Sequence, residues 1–338
     1  MNDLTCMALA AQEAAKATTY KTFDNPRVGA IIVQNNQIIA TGHHEAFGQA
    51  HAEINAFNHL KDKNQIIGAT MYVTLEPCSS SGKVGSCAKE LSTWGLRRVV
   101  VGSIDPNPTT NGQGIALLKA AGVEVDVLNT NHSACLNPEF YYYFQSKKPY
   151  VQLKLVVSKD GFVSAGHNRR TKLTDDCADI DVHQERAKRS AIMIGSQTLL
   201  VDQPQLTVRL VAIDHQQPIR VVIDRRGRLQ NSHFDFSNRW IIYTENVAFA
   251  NQNHNVYLMT HGLAGVLRHL AQQNIQSIMV EGGPELMNAF LAENLWQEML
   301  IYETDATLGS GVPGVICKQM SESETRVGNA LKRRYINN

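Results

Sequence analysis

Residues 51–87 read HAEINAFNHLKDKNQIIGATMYVTLEPCSSSGKVGSC. His51 and Glu53 stand two apart, Pro77 and Cys78 follow, and Cys87 comes nine positions after Cys78, with the eight residues 79–86 between them. An imidazole and two thiols form a soft-to-borderline donor set suited to zinc. Three protein ligands leave the fourth tetrahedral position open to water, whereas a structural zinc is closed by four. A carboxylate two residues past one ligand can move protons at that open position without binding the metal. His51, Cys78 and Cys87 are therefore candidate zinc ligands and Glu53 the candidate general acid–base. A lone His-x-Glu is an ordinary helix start, and two cysteines are often just small buried hydrophobes. The joint order of His-x-Glu, β-rich run, Pro-Cys and second cysteine is what favours a catalytic zinc over a structural one or none.

The order matches the H-x-E…P-C-x-x-C signature of zinc-dependent base deaminases, with a wider gap between the cysteines. Working outward, residues 3–18 read as an Ala-rich amphipathic helix, and 28–33 and 37–41 as strands joined across Asn35-Asn36, a hairpin signal. His51 opens a helix to about residue 60. Residues 70–75 form a β-rich run, 86–94 a short helix, 97–102 a strand, 115–121 a helix and 123–128 a strand. Strands alternating with helices predict helices packed around one sheet. His51 and Cys87 both fall at helix N-termini, where the positive end of the dipole favours thiolate.

A helix over 137–145 and a break at Lys147-Lys148-Pro149 mark the join between two domains, 1–146 and 147–338. Past it the pattern restarts: a strand over 151–158, a Lys159-Asp160-Gly161 turn, a strand over 162–164 and a charged helix over 175–188. Further strands are expected at 191–195, 220–224, 240–244, 277–281 and 298–303, with helices at 263–273 and from Pro284. This is a second α/β domain and not a repeat of the first.

Composition narrows the function classes. The 338 residues are 43% hydrophobic with a net charge of +1, enough for two cores and without the basic stripe of a nucleic-acid binder. No apolar run approaches the roughly 18 residues of a membrane span, and the N-terminus lacks the basic region of a signal peptide. Six cysteines (6, 78, 87, 135, 177 and 317) lie far apart, which points to a reducing, cytoplasmic compartment and away from a disulfide framework.

With these residues in view the chain resembles, over essentially its whole length, the bifunctional riboflavin-biosynthesis deaminase/reductases of bacteria. In the first half the resemblance rests on Asn25-Pro26-Arg27-Val28-Gly29, Gly42-His43-His44, His51-Ala52-Glu53, Thr74-Leu75-Glu76-Pro77-Cys78, the eight-residue gap to Cys87 and Asp105-Pro106-Asn107-Pro108. In the second half it rests on Lys154-Leu155, Ser158-x-Asp160-Gly161, Asp202-x-Pro204-x-Leu206-Thr207-x-Arg209 and Val280-Glu281-Gly282-Gly283-Pro284.

The resemblance implies a cytidine-deaminase-like three-layer α/β/α domain followed by a dihydrofolate-reductase-like α/β domain. It implies zinc and NADPH as cofactors, a phosphorylated pyrimidine as substrate and assembly into a homo-oligomer. The first domain would hydrolyse the exocyclic 2-amino group of a diamino-ribosylamino-pyrimidinone 5′-phosphate; the second would reduce the ribosyl chain to ribityl. On that pattern Asn25 and His44 would hold the ring or ribose, and Lys83 would meet the phosphate as a point charge. Lys154 would be an active-site lysine. Thr198 and Asp202 fall at cofactor positions, as does Lys172 at the place of a family Trp; Arg186, Leu206, Arg209 and Glu281 fall at substrate positions. Gly282 and Gly283, in a strand–turn–helix start, would offer backbone N–H groups to a cofactor phosphate. The chain departs from the family at Ser80 and Ser81, at Lys159, at Lys172-Leu173-Thr174, and in an end that reads short after Gly314. Two alternatives stay open: a zinc deaminase of another base or nucleotide with a non-reducing second domain, and a non-catalytic scaffold.

Overall fold

The computed structural model describes residues 1–79, 85–166 and 171–337. Its chain divides into two compact units, Met1–Ser146 and Lys147–Asn338.

The first unit comprises α1 (Asp3–Ala15), α2 (Thr19–Thr22), β1 (Gly29–Gln34), β2 (Gln37–His43), α3 (Ala52–Asn58), β3 (Thr70–Val73), α4 (Cys87–Thr93), β4 (Arg98–Val101), α5 (Gln113–Ala120), β5 (Glu124–Val127), α6 (His132–Leu136) and α7 (Pro138–Ser146). Its sheet runs β2-β1-β3-β4-β5; the β1 pairings are antiparallel and β3-β4-β5 parallel. Asn35 and Asn36 both take positive φ, the left-handed pair that a two-residue hairpin turn requires. Alternate strand residues bury on opposite faces. Ile31, Val33, Tyr72 and Val100 pack with Cys6, Met7 and Ala10 of α1. Ala30, Ile32, Met71, Val73, Val99 and Val101 pack with α3, α4 and α5. A sheet covered on both faces is a three-layer α/β/α sandwich.

The second unit contains β6 (Tyr150–Val157), β7 (Phe162–Ser164), α8 (Asp176–Ala187), β8 (Ala191–Gly195), α9 (Ser196–Asp202), β9 (Ile219–Ile223), β10 (Trp240–Thr244), α10 (Val247–Ala250), β11 (Val256–Leu258), α11 (Gly262–Gln272), β12 (Ser277–Val280), α12 (Pro284–Ala292), β13 (Glu298–Thr304), β14 (Val312–Pro313), β15 (Ser323–Val327) and β16 (Ala330–Ile336). Nine strands form one sheet in the order β11-β10-β9-β8-β12-β6-β13-β16-β15. It is parallel from β11 to β13 and antiparallel through β16 and β15. Leu153, Leu155, Met193 and Val280 face α11 and α12, while Ile192, Ile194 and Val222 face the other way, toward Leu199 of α9.

The segment after Gly314, which reads as short in sequence, builds the β15–β16 hairpin that extends the sheet past β13. Its charged residues pair across strands, Arg333 with Glu303 and Glu324 and Arg334 with Glu298. These charges hide the apolar alternation by which a strand is normally recognised.

Candidate active sites

In the first unit two helix starts converge on one point. His51 caps α3, placing Glu53 in its first turn. Cys87 is the first residue of α4, whose N-cap Ser86 accepts a bond from the Lys89 N–H. Cys78 follows β3, and its carbonyl accepts from Ser86 Oγ at 3.1 Å and from the Ala88 N–H at 3.0 Å. His51 Nδ1 lies 3.6 Å from Cys78 Sγ and 3.2 Å from Cys87 Sγ, and the three donor atoms stand within 4.8 Å of one another. Tetrahedral zinc with bonds of about 2.3 Å to sulfur and about 2.0 Å to nitrogen separates S from N by ~3.5 Å, so this set fits that ion.

The electrostatics suit a cation. Hydrogen bonds from Cys87 and His51 hold the Cys78 thiol at about 4 against its burial, while donating to Cys78 and being buried push Cys87 up. Glu53 is 3% exposed, and burial pushes its carboxyl up as well.

Beside this cluster His44 is also buried, which lowers its pKa. Its Nδ1 is 3.1 Å from the Ala50 carbonyl, so that nitrogen carries the proton and donates. Its Nε2 is then free to accept from Asn25 Nδ2 at 3.3 Å. The His44 ring stands edge-on to His51 with centroids 5.4 Å apart. Lys83, Ser80 and Ser81 lie outside the described residues.

Glu76 is a functional candidate that the sequence reading passed over. Its buried carboxylate accepts four backbone N–H bonds, from Asp105 (3.2 Å), Gly112 (2.9 Å), Gly114 (3.0 Å) and Ile115 (3.2 Å). It thereby ties the residue before Pro77-Cys78 to the start of α5. An acid directly preceding Pro-Cys was the available signal.

In the second unit the carboxyl ends of β8 and β12 open on a cavity of about 480 Å³, the position where open α/β sheets bind ligands. Lys154, Arg186, Thr198, Asp202, Leu206, Arg209, Glu281, Gly282 and Gly283 all line it. Arg186 grips Glu281 through Nε at 2.5 Å and Nη2 at 2.9 Å, and Lys154 Nζ lies 3.4 Å from the same carboxylate. Burial raises the Glu281 pKa, but Arg186 and Lys154 outweigh it and hold the group at about 2. Burial pulls Lys154 down. Leu206 takes φ of 51°, a left-handed conformation unusual for leucine, and such strain gathers at functional sites.

The start of α12 fits a phosphate. Gly283 is its N-cap without a side-chain bond and Pro284 its first residue, so the N–H groups of Glu285 and Leu286 have no partner within the helix. A Cβ on Gly282 would stand 2.8 Å from Leu286, which explains that glycine.

Lys172 does not line the cavity. Its ammonium is drawn to Asp179 at 3.2 Å and Asp176 at 3.5 Å on α8, leaving the side chain more than half exposed. His183, in contrast, does line it and was not anticipated. Its Nδ1 accepts the Arg209 N–H at 3.0 Å, while Arg186, one turn on, donates to the Thr207 carbonyl at 3.2 Å. The i,i+3 spacing of His183 and Arg186 on a charged helix was the signal.

A His-Cys-Cys centre with a buried glutamate in one unit, and an Arg–Glu–Lys-lined cavity with a phosphate-ready helix start in the other, define a two-activity enzyme: a deaminase joined to a reductase. Comparison with known proteins agrees. The cytidine and deoxycytidylate deaminase zinc-binding region matches residues 1–103, and the RibD C-terminal domain matches 149–333. The chain is 34% identical over 324 residues to the riboflavin biosynthesis protein RibD of Buchnera aphidicola, covering 88% of this chain and 85% of that one. It is 34% identical over 326 residues to RibD of Escherichia coli K12, covering 90% and 88%. Among solved structures, Acinetobacter baumannii RibD aligns with a TM-score of 0.81 at 31% identity, over 99% of this chain and 98% of that one. The diaminohydroxyphosphoribosylaminopyrimidine deaminase/5-amino-6-(5-phosphoribosylamino)uracil reductase of Thermotoga maritima aligns at 0.78 and 30%, over 98% and 97%. The chain belongs to the RibD family of bifunctional riboflavin-biosynthesis enzymes, with a zinc-dependent deaminase domain of cytidine-deaminase type and an NADPH-dependent, dihydrofolate-reductase-like domain. Among the described residues no helix is long and apolar enough to cross a membrane.

Proposed function

We propose that residues 1–146 hydrolyse the 2-amino group of 2,5-diamino-6-ribosylamino-4(3H)-pyrimidinone 5′-phosphate, and that residues 147–338 then reduce the ribosyl chain of the product to ribityl. The observation that carries the first step is the meeting of His51, Cys78 and Cys87 beside the buried Glu53. Zinc held by those three side chains would supply an acidified water at neutral pH. Glu53 takes the proton from the attacking water and delivers it to the departing nitrogen, so that ammonia leaves as oxygen enters. Asn25 and His44 orient the ring, and Lys83 meets the phosphate.

For the second step Gly282, Gly283 and the start of α12, with Thr198 and Asp202 alongside, would hold the phosphates of NADPH, which would supply the hydride. Arg186 and Arg209 hold the substrate phosphate in charge-assisted bonds. Leu206 packs on the substrate. Glu281 accepts from its hydroxyls, and Lys154 holds a proton at the reacting carbon's oxygen. A cytoplasmic homo-oligomer is the working form; six free cysteines support a reducing compartment, and light scattering tests the assembly.

The direct test offers the diamino phosphate, cytidine and guanine separately, with and without NADPH, and follows ammonia and NADPH independently. Ammonia should come from the diamino phosphate without NADPH, and NADPH should be consumed only after deamination. Preferential release from cytidine or guanine, with no NADPH consumption, would overturn the proposal.

A further inference from the structure

We propose that Asn137, at the junction of α6 and α7, is a positioning residue of the deaminase site that fixes the Asn25 side chain. Asn137 is 5% exposed and lies outside the region matched to the deaminase zinc-binding region. Its Oδ1 accepts the Arg27 N–H at 2.6 Å, and its Nδ2 donates to the Arg27 carbonyl at 3.0 Å and to the Ser133 carbonyl at 2.9 Å. The amide therefore pairs with both backbone groups of one residue, as a neighbouring strand would. The Arg27 guanidinium also donates to the Leu136 carbonyl.

What this clamp holds is the approach to the site. Arg27 is two residues past Asn25, with Pro26 between them fixing φ. On the far side Val28 accepts the His44 N–H at 3.0 Å, and the Gly29 N–H donates to Thr74 Oγ1 at 3.2 Å. Asn25 donates to His44, which stands edge-on to His51. An unbroken chain of contacts thus runs from Asn137 through the Arg27 backbone to Asn25, His44 and His51. The amide is specific for this task. Aspartate would set a carboxylate oxygen against the Arg27 and Ser133 carbonyls, and alanine would leave the part-buried Arg27 N–H and carbonyl without this partner.

The inference rests on the reading that Asn25 contacts the substrate, so the test separates the two. Full-length Asn137→Ala, Asn137→Asp, Asn25→Ala and the Asn25→Ala/Asn137→Ala double variant are compared by steady-state ammonia release from the diamino phosphate. Zinc content and NADPH turnover on the separately supplied deaminated substrate serve as controls. Misplacement of a substrate-holding group by about an ångström costs up to ~100-fold. Asn137→Ala should therefore lose about 10–100-fold in kcat/KM, chiefly through KM, with zinc and reductase turnover retained. Asn137→Asp should do no better. The double variant should be little worse than Asn25→Ala, because both act through one contact. Should Asn137→Ala not yield folded protein, Asn137→Ser, which keeps a hydroxyl, carries the same comparison. A normal KM in Asn25→Ala would overturn the underlying reading. A raised KM in Asn25→Ala beside a normal one in Asn137→Ala, or losses that simply multiply in the double variant, would overturn the role of Asn137.

Discussion

Glu53 and His183 show how one side chain's surroundings set its work. Glu53 is 3% exposed in the first turn of α3, close enough to Cys87 to share a hydrogen bond with its thiol. Glu53→Gln keeps the shape and removes a carboxyl able to carry a proton. It should retain zinc and lose about 10²–10⁴-fold or more of the ammonia release rate, measured beside an unchanged reductase rate; near-normal release would refute the assignment. Burial, with Arg186 and Arg209 adding to it, holds His183 at about 4, below its ordinary 6.5. Between those two values the unfolded chain binds a proton that the native one does not, so stability falls on acidification through that window and is unaffected by this group above about pH 7. Protonation would also cost the acceptor that holds the Arg209 N–H. His183→Asn should flatten the slope of unfolding free energy between pH 4 and 6.5, read by denaturant titration at each pH. An unchanged slope would mean that the imidazole is already charged in the native state.

At the scale of the element, α8 separates what faces the cavity from what only neighbours it. Its inner face presents His183 and Arg186 to the segment 207–209, whereas its first turns hold Lys172 outside through Asp176 and Asp179. An exposed pair of that kind contributes about 0–1 kcal/mol. Lys172→Ala should therefore leave KM for NADPH within about twofold, while Arg209→Ala, which on the proposed reading would remove a charge-assisted phosphate contact, should raise KM for the phosphorylated substrate about tenfold or more. A large NADPH effect at Lys172 would return it to the cofactor site. The same contrast explains what was legible in the sequence. β8 and β10 carry runs of apolar residues buried on both faces, and such runs announce themselves. The Asn35-Asn36 turn and the Pro284 helix start carry their own signals. The zinc set was legible because its residue types are rare together. α9, which carries Thr198 and Asp202, β15 and β16 were not: α9 has no side-chain cap at its start, and the hairpin is stabilised by cross-strand charges that look like a solvated tail. The Glu76 and Asn137 roles depend on backbone partners distant in sequence, which no local pattern encodes.

At the scale of the whole molecule, each unit has its own sheet and core; among the described residues His51, Cys78 and Cys87 belong to the first unit, and the residues lining the cavity of about 480 Å³ belong to the second. Residues 1–146 expressed alone should be soluble and should release ammonia. A shorter fragment ending at residue 103 should do neither, since it lacks Ile115, Leu118 and Val125 of the core, the N–H groups of Gly112, Gly114 and Ile115 that bond Glu76, and Asn137. An inactive 1–146 fragment would mean that the deaminase needs the second unit. The central claim, that His51, Cys78 and Cys87 form a metal centre, is met most directly by elemental analysis of the full-length protein purified without chelators, beside Cys78→Ser. We expect one zinc per chain in the former and none in the latter. A wild-type protein free of zinc, or a Cys78→Ser protein that keeps its full complement, would contradict it.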